Sequence, residues 1–177
     1  MNFYELVKTR ESCRDYSPRQ VEREKLDRAL GAALAAPSAC NGQPWRYTVV
    51  IGEEKRAELL PLIGGTSMNK FARNAPVLIV VEQTATSVSA SLGGKHVGED
   101  FRPFDIGMSV MQLCLAASAE GLSTCIIGML KIAEIKKLYS MKGAPCLAVA
   151  LGYAAEEGKP PRGKQRKSAE DVLSFIE

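Results

Sequence analysis

In the stretch TRESCRDY, Arg10, Ser12 and Arg14 stand two residues apart. Residues two apart in an extended segment point to the same side. Two guanidiniums and a hydroxyl then converge on one point, a set suited to a phosphate dianion. Near the other end, GKQRK repeats the spacing with Lys164 and Arg166. Basic pairs are in general solvated surface charge; the matched pattern at both ends, with Ser between the arginines, sets these apart. A third stretch, APSACNGQPW at 36–45, places Pro, Ser, Asn, Gly, Gln and Pro in one short connection and ends on the only Trp. A helix-to-strand turn needs one or two such residues, so this is a loop shaped to hold something.

Other chemistries lack material. No G-x-G-x-x-G follows a strand, which argues against a Rossmann dinucleotide site. Gly94-Lys95 lacks the upstream Gly and the following Ser/Thr of a phosphate-binding P-loop. The single His96 leaves nothing for a Ser-His-Asp or Cys-His arrangement or a His-based metal site, and is expected in a solvated loop. No catalytic side chain and no metal ligand is assigned. The five cysteines are odd in number without a C-x-x-C pair, the pattern of reduced thiols in a reducing compartment. A net charge of +3 is too small to argue for nucleic acid. MNFYELVKTR is too polar for a signal peptide and no apolar run is long enough for a membrane span, so the expectation is a cytoplasmic protein.

The elements that position these residues alternate between α and β. At 177 residues the chain is long enough for one compact domain with a real core, taken as residues 1–177. Asn2 and Glu5 are spaced as a capping box for a helix ending near Arg10. The next segment is extended, closed by Ser17-Pro18. Leu26, Leu30, Ala33 and Leu34 predict an amphipathic helix over 22–36, stopped before Pro37. Strands are expected at 46–51, at PVLIVVE (76–82), at STCIIG and at PCLAVALGY (145–153). The run at 76–82 is apolar enough to be buried on both faces. Helices are expected at 53–63, around Ile106, Val110, Leu113 and Ala117 up to Gly121, at 132–139, and from Ser168 to the end. The Ser/Gly-rich stretch 83–103 is expected as a loop and a candidate substrate lid. Such company makes an α+β or α/β sandwich with helices on both faces.

R-x-S-x-R, then A-P-S-x-x-N-x-Q-P-W, then G-L-S-T-C-x-I-G and a late K-x-R together resemble the FMN-dependent nitroreductase family. The resemblance runs in order from Arg10 to Arg166. It implies an α+β three-layer sandwich with a central, mostly antiparallel sheet, and an intertwined homodimer with FMN at the interface. It also implies NADH- or NADPH-dependent reduction of a nitroaromatic, quinone or flavin, with the chemistry supplied by the flavin. By position, Arg10, Ser12 and Arg14 match the FMN-binding strand, and Lys164 and Arg166 the late phosphate pair. Pro37, Ser38, Ala39 and Asn41 match the loop that reaches the flavin of the other subunit. Ile127 and Gly128 match the strand end beside the flavin ring, and Asn69 an Asn near it. The basic arm GKPPRGKQRK, stiffened by Pro160 and Pro161, is expected to wrap the neighbouring subunit.

Four features depart from that pattern. Glu11 stands where many members carry a basic residue, Ile126 replaces a frequent Trp, and Ala39 and Cys40 replace hydroxyl residues. They keep open specialised flavin chemistry of the flavin-fragmenting or deiodinating type, and a flavin-binding or regulatory module with weak turnover.

Overall fold

A computed structural model describes residues 2–156, 158 and 162–176. Its centre is a four-stranded sheet in the order β1-β2-β4-β3. The strands are β1 (Trp45–Val50), β2 (Val77–Gln83), β3 (Ser123–Ile127) and β4 (Ala144–Gly152). All three ladders are antiparallel, pairing Val49 with Ile79, Ile79 with Val149 and Ile126 with Val149. The two central strands are apolar on both faces because helices cover both. Alternation along β2 sends Val77, Ile79 and Val81 to one core and Leu78 and Val80 to the other.

Around the sheet, α1 (Phe3–Thr9), α2 (Arg23–Leu34), α3 (Glu53–Leu59), α4 (Val88–Val97), α5 (Arg102–Ala119) and α6 (Ile132–Leu138) fill the outer layers. Against one face lie α2, through Leu26, Ala29 and Ala33, and α5, through Ile106, Val110, Leu113 and Ala117. Against the other lie Leu59 of α3, Ile63, Ala72 and Ile135 of α6. This is the expected three-layer α+β sandwich. The α1 capping box forms as the spacing requires: Glu5 N donates to Asn2 Oδ1 and Asn2 N to Glu5 Oε2. The expected helix over 53–63 tightens after Leu59 into a 3₁₀ turn with Pro61 in its first turn, ending at Gly64 with φ of 71°.

Two expectations fail. The stretch 83–103 is not a loop but holds α4, with His96 in its last turn, exposed as expected. Ser87 Oγ caps α4 by accepting from Ala90 N, and Gly98 ends it at φ of 75°. The glycine that suggested a loop serves packing, since a Cβ on Gly94 would lie 2.4 Å from Glu99 O. Nor does a helix run from Ser168. Ser168 and Asp171 close one turn, each backbone N–H donating to the other's side chain, and the chain then runs on without helix. Val172, Leu173, Phe175 and Ile176 are exposed; so short a helix, with no apolar face to bury, does not repay its nucleation. Pro160 and Pro161 lie outside the described residues. Among those described, no helix is long and apolar enough to cross a membrane.

A buried polar relay ties three elements behind the 36–45 loop. Tyr47 and Ser109 hydroxyls lie 2.6 Å apart, and Ser109 Oγ donates to Ala33 O at 2.7 Å. With its hydrogen so committed, Ser109 accepts from Tyr47. Burial pushes the Tyr47 hydroxyl up to about 12, against the pull of this hydrogen bond, which keeps it a donor. The relay fixes the end of α2, from which the loop departs. Ser109→Ala strands the Tyr47 hydroxyl and should cost about 1–3 kcal/mol of folding stability, read as a lower urea midpoint at unchanged m.

Candidate active site

The segment after α1 runs along the free edge of β3. Ser12 bridges Thr124 in parallel, and Cys13 N donates to Thr124 O at 2.9 Å. Tyr16 bridges Ala154, and its hydroxyl donates to Ala150 O from a buried position. The extended backbone inferred from TRESCRDY is therefore real, and its cause is edge pairing. Arg14 lies within electrostatic reach of the Cys125 thiol, which burial pushes up and Arg14 pulls back.

The C-terminal strap crosses this segment. Lys164 Nζ donates to Arg10 O at 2.8 Å. Desolvation holds the Lys164 ammonium below its ordinary value, and the charges of Arg10, Arg166 and Arg162 add to that against the pull of Glu11. The two ends of the sequence thus meet in one electropositive cluster. Residues 9–15 also line a groove of about 690 Å³ with Ser118, Gly121, Ser123, Tyr153 and Arg162. Tyr153 is fixed there by donating to Glu22 Oε2 at 2.5 Å, accepting from Lys25 Nζ at 2.8 Å, and stacking beneath Arg19. The hydrogen bond from Tyr153 brings the Glu22 carboxyl down to about 2.

The 36–45 loop sits elsewhere. Ala39 N donates to Asp105 Oδ1 in the first turn of α5, and Asp105 is 3% exposed. Ser38 Oγ accepts from Gln43 N, while Gln43 Nε2 donates to Asn41 O and Oδ1. Cys40, Asn41 and Gln43 have φ of 47°, 50° and 44°, the left-handed region that L residues rarely adopt. A Cβ on Gly42 would lie 2.1 Å from Thr86 Oγ1, so only Gly lets the loop pack against the start of α4. Trp45 begins β1 and is buried in the core.

Not all the candidate residues come together in one chain. Arg10, Ser12 and Arg14 belong to the segment on the β3 edge, where Lys164 reaches Arg10 O with the charge of Arg166 near it. Asn69 and Gly128 share the end of β3: Asn69 Nδ2 donates to Ile63 O and, with the Met129 sulfur, borders Gly64. Ile127 is buried in the second core, whereas Gly128 is exposed with open space where a Cβ would stand. Pro37, Ser38, Ala39 and Asn41 lie at the opposite end of α5 from Ser118, roughly 20 Å along the axis at the helical rise per residue. Two contributors escaped the sequence reading. Asp105 orients the loop; an acid in the first turn of an otherwise apolar helix was its signal. Arg162 pairs with Glu11, and its signal was the same basic run that holds Lys164.

The nitroreductase family model matches residues 7–153, from α1 to the end of β4. YodC of Bacillus subtilis (strain 168), which carries the name of an NAD(P)H nitroreductase, is 26% identical over 203 residues covering 99% of each chain. A Methanothermobacter thermautotrophicus protein that carries the name NADH dehydrogenase/NAD(P)H nitroreductase is 30% identical over 162 residues, 88% of this chain and 79% of its own. Among solved structures, a nitroreductase of Exiguobacterium sibiricum 255-15 in complex with FMN has the same fold, with a TM-score of 0.81 at 24% identity over 99% of this chain and 98% of that one. With the match extending over the whole sandwich that carries the β3 edge, the chain belongs to the nitroreductase family.

Proposed function

We propose that the protein is an FMN-dependent oxidoreductase that passes hydride from NADH or NADPH to a small electron-poor acceptor, a nitroaromatic, quinone or flavin. The observation that carries this reading is the cluster at the β3 edge. Lys164 is set beside Arg10 and Arg166, and desolvation, with their charges added, holds it below its ordinary value. Like charges gathered in this way are a donor set matched to a terminal phosphate dianion. The absence of a dinucleotide motif favours a mononucleotide.

In this reading Arg10, Arg14, Lys164 and Arg166 hold the phosphate and Ser12 adds a hydroxyl. Asn69 and the backbone at Ile127 and Gly128 border the ring, and bare Gly128 lets it come close. FMN, when bound, supplies the carrier for two electrons between nicotinamide and acceptor. The chain's own part is to bind, orient and exclude water, and no side chain needs to act as acid or base. The functional unit is a homodimer in which Pro37, Ser38, Ala39 and Asn41 serve the partner's flavin, since in their own chain they stand at the far end of α5. Exposed Phe3, Tyr4 and Val7 on α1, Phe104 and Met108 on α5, and the apolar C-terminal residues supply surface for that contact.

Purified protein should be yellow and release FMN rather than FAD; its spectrum should bleach under anaerobic NADH or NADPH and return on adding a nitroaromatic or quinone. Release of FAD, or a spectrum that neither nucleotide bleaches, would overturn the assignment. Arg14→Ala should weaken FMN binding about tenfold to a hundredfold in Kd. An Arg14→Ala/Arg166→Ala chain mixed with a Ser38→Ala/Asn41→Ala chain should regain flavin sites that each parent lacks; a monomer that binds FMN normally would sink the shared site. FMN affinity should also fall as pH rises, and sooner than an ordinary lysine would dictate. The phosphate needs the charged ammonium, and Lys164 loses its proton below the usual lysine value. Titration of Kd against pH checks this, with Lys164→Gln removing the dependence.

A further inference from the structure

Arg10, Arg162, Lys164 and Arg166 gather where the strap crosses the N-terminal segment, and Arg162 differs in pairing with a carboxylate. Its Nε and its backbone N both donate to Glu11 Oε2, at 3.1 and 3.3 Å, and its Nη2 donates to Ser12 O at 2.9 Å. Two residues on, Lys164 Nζ donates to Arg10 O. The strap therefore runs antiparallel to the N-terminal segment, Arg162 meeting residues 11 and 12 and Lys164 meeting residue 10. The Glu11 side chain is 25% exposed. Burial works to raise its carboxyl, but the hydrogen bonds and charge of Arg162, with the charge of Lys164, bring it below the ordinary value.

We infer that Arg162 is a positioning residue: with Glu11 it clamps the strap to the N-terminal segment, so that Lys164 and Arg166 stand beside Arg10, and it leaves the phosphate to those neighbours. The inference rests on the FMN reading above. The bonding assigns the role, because Arg162 Nε and Nη2 hold this chain's own carboxylate and carbonyl, whereas Lys164 Nζ gives one of its three N–H donors to Arg10 O. Charge balance supports it too. At Lys164 the pull of Glu11 outweighs the push of Arg162, so the pair holds the strap without a net addition to the repulsion among the phosphate-facing cations.

The test uses the full-length protein and two readouts. In the flavin-free protein, Glu11→Gln should speed amide hydrogen exchange in residues 162–168 about threefold to tenfold, the range of one partly exposed charge-assisted contact, with the thermal midpoint unchanged. In FMN titrations, Arg162→Glu and Glu11→Arg should each weaken binding, and the double swap Glu11→Arg/Arg162→Glu should recover most of it. Loss in Arg162→Glu that the swap does not recover would make Arg162 a phosphate ligand and overturn the inference. Unchanged exchange in Glu11→Gln would overturn it as well. If the unaltered protein binds no FMN, the cofactor reading fails by itself, and the exchange result still decides whether the clamp exists.

Discussion

An edge strand presents a row of unpaired N–H and C=O groups that must be covered. In this fold β3 is one of the two edges, and the answer there is the short pairing of Ser12 and Cys13 with Thr124. The rest of the site depends on this contact. It forces residues 10–16 into extended backbone, which gives the R-x-S-x-R spacing its meaning. It places them over the C-terminal half of α5, and it lays down the carbonyls of Arg10 and Ser12 that the strap then grips. Tyr16, buried and bonded to Ala150 O, fixes the far end of the pairing. A charge cluster built on loops alone would spread under its own repulsion; built on a sheet edge, it is held by backbone.

The sandwich was legible in the sequence because period-2 and period-3.6 patterns survive without knowledge of partners. PVLIVVE could only be a strand covered on both faces, and Ile106, Val110, Leu113 and Ala117 mark one face of a helix. The failures share one cause. At α4, Ser and Gly were read as loop signals, although Ser87 is a cap and Gly94 a packing requirement set by Glu99, a contact no local pattern contains. At the C-terminus a helix was expected from Ser168, yet among the described residues nothing covers the apolar side chains it would carry. Propensity gives way wherever tertiary contact decides.

The candidate site divides along the same line. Arg10, Arg14, Lys164 and Arg166 were named as candidates because charge spacing is a local signal. Their meeting follows from topology, which joins the two ends of the chain at β3. Asp105 and the Glu11–Arg162 pair were missed because their roles exist only once α5 has met the loop and the strap has met the N-terminus. Ile127 shows the reverse: it was named as a candidate, but its side chain belongs to the core, which leaves its backbone as the part open to such a role.

The 36–45 loop answers to different physics from the cluster. Three non-glycine residues in left-handed backbone store of the order of 1–3 kcal/mol each, and such strain persists only where its surroundings over-determine it. Here Ser38 holds Gln43 N, Gln43 holds Asn41, Asp105 holds Ala39 N and Thr86 abuts Gly42. The oxygens of Ser38 and Asn41 are engaged inside the loop, which leaves the Ser38 hydroxyl hydrogen and the Asn41 amide N–H groups as the donors for anything that arrives. A loop kept rigid in this way loses little entropy when it meets a flat, polar-edged ring. That accounts for six turn-forming residues where a simple connection needs one or two: they fix the shape of the surface.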